Sequence, residues 1–171
     1  MGYEGQAVTK RLRKYPLIGF GITLIALSSL PLDASASPKQ AVAALTACLK
    51  GKTSSDETRT CIGRYSDPCA AKAENTAPLP QISEQSQCLL DEASAWNTLS
   101  DRAVKSWKEN NTTSLSANIA KLTNESRHFA KIKCAVFRDT QQFGQTGMAL
   151  EAQCLRDEAA RTASFIGYAL D

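Results

Sequence analysis

The residues of this chain best equipped for chemistry are its six cysteines, Cys48, Cys61, Cys69, Cys88, Cys134 and Cys154. Thiols can hold a metal, exchange electrons or cross-link. A zinc knuckle or a thioredoxin-type site needs Cys-x-x-Cys spacing, whereas the gaps here are 13, 8, 19, 46 and 20 residues. An even count without such a pair reads as three disulfides. Pairing sequence neighbours gives Cys48 with Cys61, Cys69 with Cys88, and Cys134 with Cys154. The competing scheme joins Cys48 to Cys88 and Cys61 to Cys69. Each cross-link is expected to add roughly 3 kcal/mol by constraining the unfolded chain.

The acid–base residues point away from catalysis. His128 is the single histidine. Ser126 lies two residues away, and residues at that spacing do not share a helix face. His128 is therefore expected at the surface. Asp91 and Glu92 are adjacent, so on a helix they diverge by about 100° and cannot share a substrate. They read as water-facing residues. Asp67 precedes Pro68, which disfavours helical backbone before it, so this pair reads as a helix stop. No nucleophile–base pair or metal-ligand cluster emerges, and neither a catalytic centre nor a cofactor is expected.

The elements that must position these groups are helices. From Cys88 to Trp107, the residues Leu89, Ala93, Trp96, Ala103 and Trp107 recur at helical steps and form one apolar stripe. Both tryptophans are expected in a core. Asp91, Glu92, Asp101, Arg102 and Lys105 are assigned to the opposite, solvated face. A second long helix shows Leu115, Ile119, Leu122, Ser126, Phe129, Lys133 and Val136, a heptad seam for a partner helix. A glycine-containing turn at 141–147 leads to a last helix from about Met148 to Tyr168. Its expected inner face carries Leu150, Cys154, Leu155, Ala159, Thr162 and Ile166.

Upstream, 41–49 reads as a short helix carrying Cys48. Ser54 and Glu57 have the spacing of a capping box for a second short helix, which would carry Cys61 and stop before Pro68. A polar loop is expected from Glu74 to Pro80. Thr113 or Ser114 is a plausible cap for the second long helix. No sustained alternation of period two calls for strands. The expected fold class is all-α: a disulfide-stapled helical bundle with two long antiparallel helices, a C-terminal helix and a short N-terminal helical cap.

Composition gives the chain an address. Lys10, Arg11, Arg13 and Lys14 precede an apolar run from Tyr15 to Leu32, and Ala34-Ser35-Ala36 follows as a small-x-small site. That order is a secretory signal peptide, expected at 1–36 with cleavage before Ser37; residues 37–171 form one helical domain. Leu45-Thr46-Ala47-Cys48 has the form of a lipidation site, but Asp33, Lys39 and Gln40 separate it from the apolar run. Without residues 1–36 the chain carries 16 basic and 15 acidic side chains, a net charge of +1. No basic stripe is interleaved with aromatics, so no nucleic-acid partner is expected, and no membrane association after cleavage. Periplasmic or secreted localisation follows.

Two stretches carry a resemblance. Cys61-Ile62-Gly63-Arg64-Tyr65-Ser66-Asp67-Pro68-Cys69 resembles the Cys-Ile-Gly-x-x-x-Asp-Pro-Cys segment of exported bacterial proteins with a lysozyme-inhibitor LprI-like N-terminal domain. Cys88-Leu89, Glu92, Ala95-Trp96-Asn97 and Leu99 are similar to that family's Cys-Leu-x-x-Glu-x-x-Ala-Trp-Asp-x-Leu segment. Weaker likeness extends to Cys134, Gly144, Gly147, Cys154 and Arg161, covering about Ala47 to Ala163. The family's second long helix carries a Trp and an Arg where this chain has Ser126 and Ala130, and a C-terminal Thr is Ala159 here. The resemblance implies a helical, non-catalytic exported protein with a lysozyme as partner. The alternative is a structural or small-ligand-binding envelope module. A mature charge of +1 offers no acidic field to steer a basic enzyme, which weighs for the alternative.

Overall fold

The computed structural model describes residues 37–76, 82–110 and 115–170. The expected signal peptide and the caps at Thr113 and Ser114 lie outside them. The described chain is all-helical. α1 spans Pro38–Leu49, α2 Ser55–Arg59, α3 Ser66–Thr76, α4 Ile82–Asn110, α5 Leu115–Asp139 and α6 Thr146–Leu170. No described helix is long and apolar enough to cross a membrane.

Local chemistry sets the helix starts. Ser37 caps α1 through its hydroxyl, and Pro38 opens the helix where a missing N–H costs nothing. At α2 the capping box is complete. Ser54 Oγ accepts from the Glu57 amide at 3.2 Å, and Glu57 Oε2 accepts from the Thr53 and Ser54 amides at 3.0 and 3.1 Å. The bond from Thr53, followed by those from Ser54, holds the Glu57 pKa below its ordinary value. A carboxylate favoured in this way stabilises the fold above its unfolded pKa and loses that contribution as pH falls through the folded value. The protection of the Thr53 and Ser54 amides against hydrogen exchange should therefore drop in that acid window. A Glu57→Ala variant should show no such step.

Three disulfides pair sequence neighbours: Cys48–Cys61, Cys69–Cys88 and Cys134–Cys154, with Cα atoms 5.9, 5.8 and 5.5 Å apart. All six cysteines are used, Cys48 included. Such cross-links belong to an oxidising compartment.

The bundle is built around α4 and α6. One apolar cluster joins Ala41 and Leu45 of α1, Cys61, Ala93, Ala95 and Trp96 of α4, and Ala159 and Ala160 of α6. A smaller one joins Val104, Ile119 and Ile166, with Trp107 packed against it. These matches run α4 and α6 in the same direction. Arg127 bonds to Asn97, while Lys133 meets Glu158 and Arg138 meets Glu151, so α5 runs antiparallel to both. Trp96 is 1 % exposed, a core residue as its stripe required.

Five expectations are corrected. Asp91 and Glu92 are not water-facing: they are 3 % and 0 % exposed. The second short helix ends at Arg59 and does not carry Cys61, which lies in the turn that follows. Pro68 stops no helix, because it sits in the first turn of α3, where no intrahelical N–H is required of it. α3 also runs on to Thr76, through the start of the expected loop. The seam of α5 is rotated as well. Leu122, Phe129 and Val136 are exposed, and the buried residues are Ile119, Thr123, Ala130 and Cys134. The disulfide at Cys134 and the Arg127 contacts fix that rotation.

The turn before α6 is tight. Gly144 has a positive φ of 49°, and a Cβ on Gly147 would lie 2.5 Å from the Phe137 carbonyl oxygen. These glycines let the chain reverse and bring Cys134 level with Cys154.

Candidate functional site

The Cys61–Cys69 segment wraps a carboxylate. Cys48–Cys61 and Cys69–Cys88 tie its two ends to α1 and α4. Between them the backbone curls so that three amides converge on Glu92 of α4. Gly63 N donates to Oε1 at 2.7 Å, while Tyr65 N and Ser66 N donate to Oε2 at 3.1 and 2.7 Å. Trp96 Nε1 adds a fourth donor at 3.3 Å. The contacts are all donors, as an ionised carboxylate requires. They include amides left open at the start of α3, so Glu92 caps that helix from another element.

Gly63 makes the curl possible. Its φ is +83°, and a Cβ would run into the Asp67 carboxylate. Arg156 of α6 braces the far side, donating from Nη1 to Ser66 Oγ at 3.0 Å and Asp67 Oδ1 at 3.2 Å. Its guanidinium also pairs with Asp157. The converging amides, the Glu92 carboxylate, Ser66 and Arg156 are engaged with one another, and the segment is a structural joint.

The open site lies elsewhere. A cleft of about 320 Å³ separates α4, α5 and α6. Leu90, Ala93, Ala130, Leu155 and Ala159 give it apolar walls. Asn97, Arg127, Lys131 and Glu158 stand among them as polar groups. Arg127 is held by the Asn97 side chain and carbonyl at 3.0 and 2.8 Å, and by Asp101 at 2.8 Å. Glu158 takes Lys133 at 2.8 Å and Arg161. Lys131 is exposed and makes no ion pair among the described residues. The cleft continues past Ser126 and Thr162 into a depression lined by Leu122, Arg161 and Phe165.

The chain matches no family model, no curated protein and no solved structure.

The candidate chemistry residues are thus dispersed. The six cysteines are all in disulfides. His128 is exposed, and among the described residues no hydroxyl or carboxylate bonds to it. Asp67 braces Arg156. Among the described residues no cluster of His, Cys, Asp and Glu could hold a metal ion. Sequence reasoning missed three residues that matter: Glu92, Arg127 and Arg156. The spacing did carry a signal for Glu92. It falls three residues after Leu89 and four before Trp96, in the middle of the apolar stripe.

Proposed function

We propose that this chain is an exported, non-catalytic binding module whose working surface is the cleft between α4, α5 and α6. The observation that carries the reading is the cleft's composition. Its walls are apolar, it extends along the bundle towards Leu122 and Phe165, and its one unpaired charge is the Lys131 ammonium. That arrangement suits a small amphiphile with an apolar body and an anionic end. The resemblance adds a reason for the space. Where the lysozyme-inhibitor-like family carries a Trp and an Arg, Ser126 and Ala130 line the cleft with small side chains.

A fluorescent medium-chain fatty acid is the direct probe. Binding to the mature protein should saturate, and Ser126→Trp, which fills the cleft, should weaken it at least tenfold. The variant should melt within a few degrees of wild type, because Ser126 is only half-buried. Unchanged affinity in Ser126→Trp would overturn the assignment of the cleft.

The resemblance at Cys61–Cys69 and Cys88–Leu99 supports a second reading, inhibition of a lysozyme. α5 opposes it electrostatically, since its residues include five cations, Lys121, Arg127, Lys131, Lys133 and Arg138, against Glu125 and Asp139. A cell-wall hydrolysis assay with micromolar excess of mature protein decides this. Undiminished hydrolysis by several lysozyme types would remove it.

A further inference from the structure

The start of α1 sits on an unfinished polar site. The Ser37 backbone nitrogen donates to the Tyr65 hydroxyl at 2.9 Å. Asp91 of α4 is 3 % exposed, and its Oδ1 accepts from Gln87 Nε2 at 2.8 Å. Its Oδ2 is buried with no hydrogen-bond partner among the described residues. A buried carboxylate oxygen without a donor is costly. Tyr65 links the two groups. Burial raises its phenol pKa, the bond from Ser37 opposes that rise, and the Asp91 charge adds to it. Packing places Asp91 on the same side: Ala41, one turn after Ser37, and Ala95, one turn after Asp91, share one apolar cluster.

Ser37 is also the residue expected to become the N-terminus. Hydrolysis of the Ala36–Ser37 peptide bond gives water's hydroxyl to the Ala36 carbonyl carbon and a proton to the Ser37 nitrogen. The resulting amine takes a further proton from solvent at neutral pH. One amide donor is replaced by an ammonium with three donors and a positive charge. Left alone, that charge would be badly placed. It lies at the positive end of the α1 dipole, beside Lys39, and the first turn of α1 contains no acidic residue. An anion must come from another helix.

We propose that cleavage before Ser37 completes this site: the new α-ammonium pairs with Asp91 Oδ2 while keeping its bond to the Tyr65 hydroxyl, and so fastens α1 to α4. Processing then acts as a maturation step that tightens the fold. The inference rests on the export reading above, and its experiment separates the two. The described helices, the three disulfides and both apolar clusters all lie within residues 37–170, so the processed chain is a complete folding unit.

The full-length chain is exported into an oxidising compartment, and the recovered protein is sequenced from its N-terminus. A start at Ser37 is expected; any other start overturns the processing step. The Ser37 form is then compared with one carrying an extra glycine ahead of Ser37. That residue displaces the ammonium by up to about 3.8 Å. The Ser37 form should melt about 5 °C higher, and Asp91→Asn should reduce the difference to roughly 1 °C. Equal melting of the two forms with Asp91 intact would overturn the ion pair even if cleavage occurs at Ser37. The reactivity of the α-amine is a second readout. An acylating reagent at neutral pH should label Ser37 at least fivefold more slowly in wild type than in Asp91→Asn or Tyr65→Phe. Equal labelling rates would overturn the pairing regardless of melting behaviour.

Discussion

Replacing Glu92 with alanine is expected to cost about 4 kcal/mol of stability, a large part of the 5–15 kcal/mol typical of a domain. The reason lies in what the substitution leaves behind. The amides of Gly63, Tyr65 and Ser66 all point at this carboxylate. Without it, each is a donor with no partner, and a buried unpaired donor costs about 1–3 kcal/mol. Water entering the space recovers part of that loss. The flanking disulfides hold the segment in place, so it cannot move away to find other partners. Urea unfolding with the disulfides intact measures the effect. A change below about 1 kcal/mol would mean that the amides are satisfied without Glu92. Glu92→Gln retains the shape but turns one acceptor into a donor facing donors, so it should recover less than half of the loss.

This joint changes how the sequence is read. The two stretches that carry the family resemblance, Cys61–Cys69 and Cys88–Leu99, are the two halves of one structural contact. Gly63 supplies the positive φ, the cysteines supply the anchors, and Glu92 supplies the charge that organises the curl. They specify how α3 docks on α4. They specify this joint rather than a ligand site, because the amides of Gly63, Tyr65 and Ser66 and the Glu92 carboxylate are engaged with one another.

Helix content and disulfide pairing were legible because they depend on local spacing. Helical periodicity, the Ser54–Glu57 box and the glycine turn each act over a few residues. The glycine turn brings Cys134 level with Cys154, its sequence neighbour. Burial of charge was less legible. Glu92 occupies a position that periodicity marks as inward, yet a carboxylate is normally placed outside unless its partners are known. Those partners are backbone amides 26 to 29 residues away, and no side-chain pattern announces them.

The α5 seam failed for a related reason. Leu122, Phe129 and Val136 make a better apolar heptad than Ile119, Thr123, Ala130 and Cys134. Yet the covalent bond at Cys134 and the clamp at Arg127 turn the weaker face inward. Leu122, Phe129, Ile132 and Val136 are left exposed together with Phe165. Small residues face the bundle, which is why a cleft remains between α5 and its neighbours. The cleft and the exposed row are two consequences of one rotation.

That rotation depends on the third disulfide. Converting Cys134 and Cys154 together to serine and alanine is expected to lower stability by about 3 kcal/mol, the value for a closed loop of this length. The loss should be uneven along the chain. α1, α3 and α4 remain tied by the other two disulfides and by the Trp96 cluster. α5 keeps the Ile119 contacts, the burial of Thr123 and Ala130, the Arg127 clamp and the ion pairs of Lys133 and Arg138. Such partly exposed pairs contribute about 0–1 kcal/mol each. The apolar heptad, now free to turn, competes for the inward position. Native-state hydrogen exchange should find the 130–139 amides of the variant opening with a free energy at least 2 kcal/mol below those of α4, a sub-global event. Fatty-acid binding should weaken in parallel, since Ala130 would no longer line the cleft. If α5 and α4 instead exchange through one common opening, packing rather than the cross-link sets the rotation of α5.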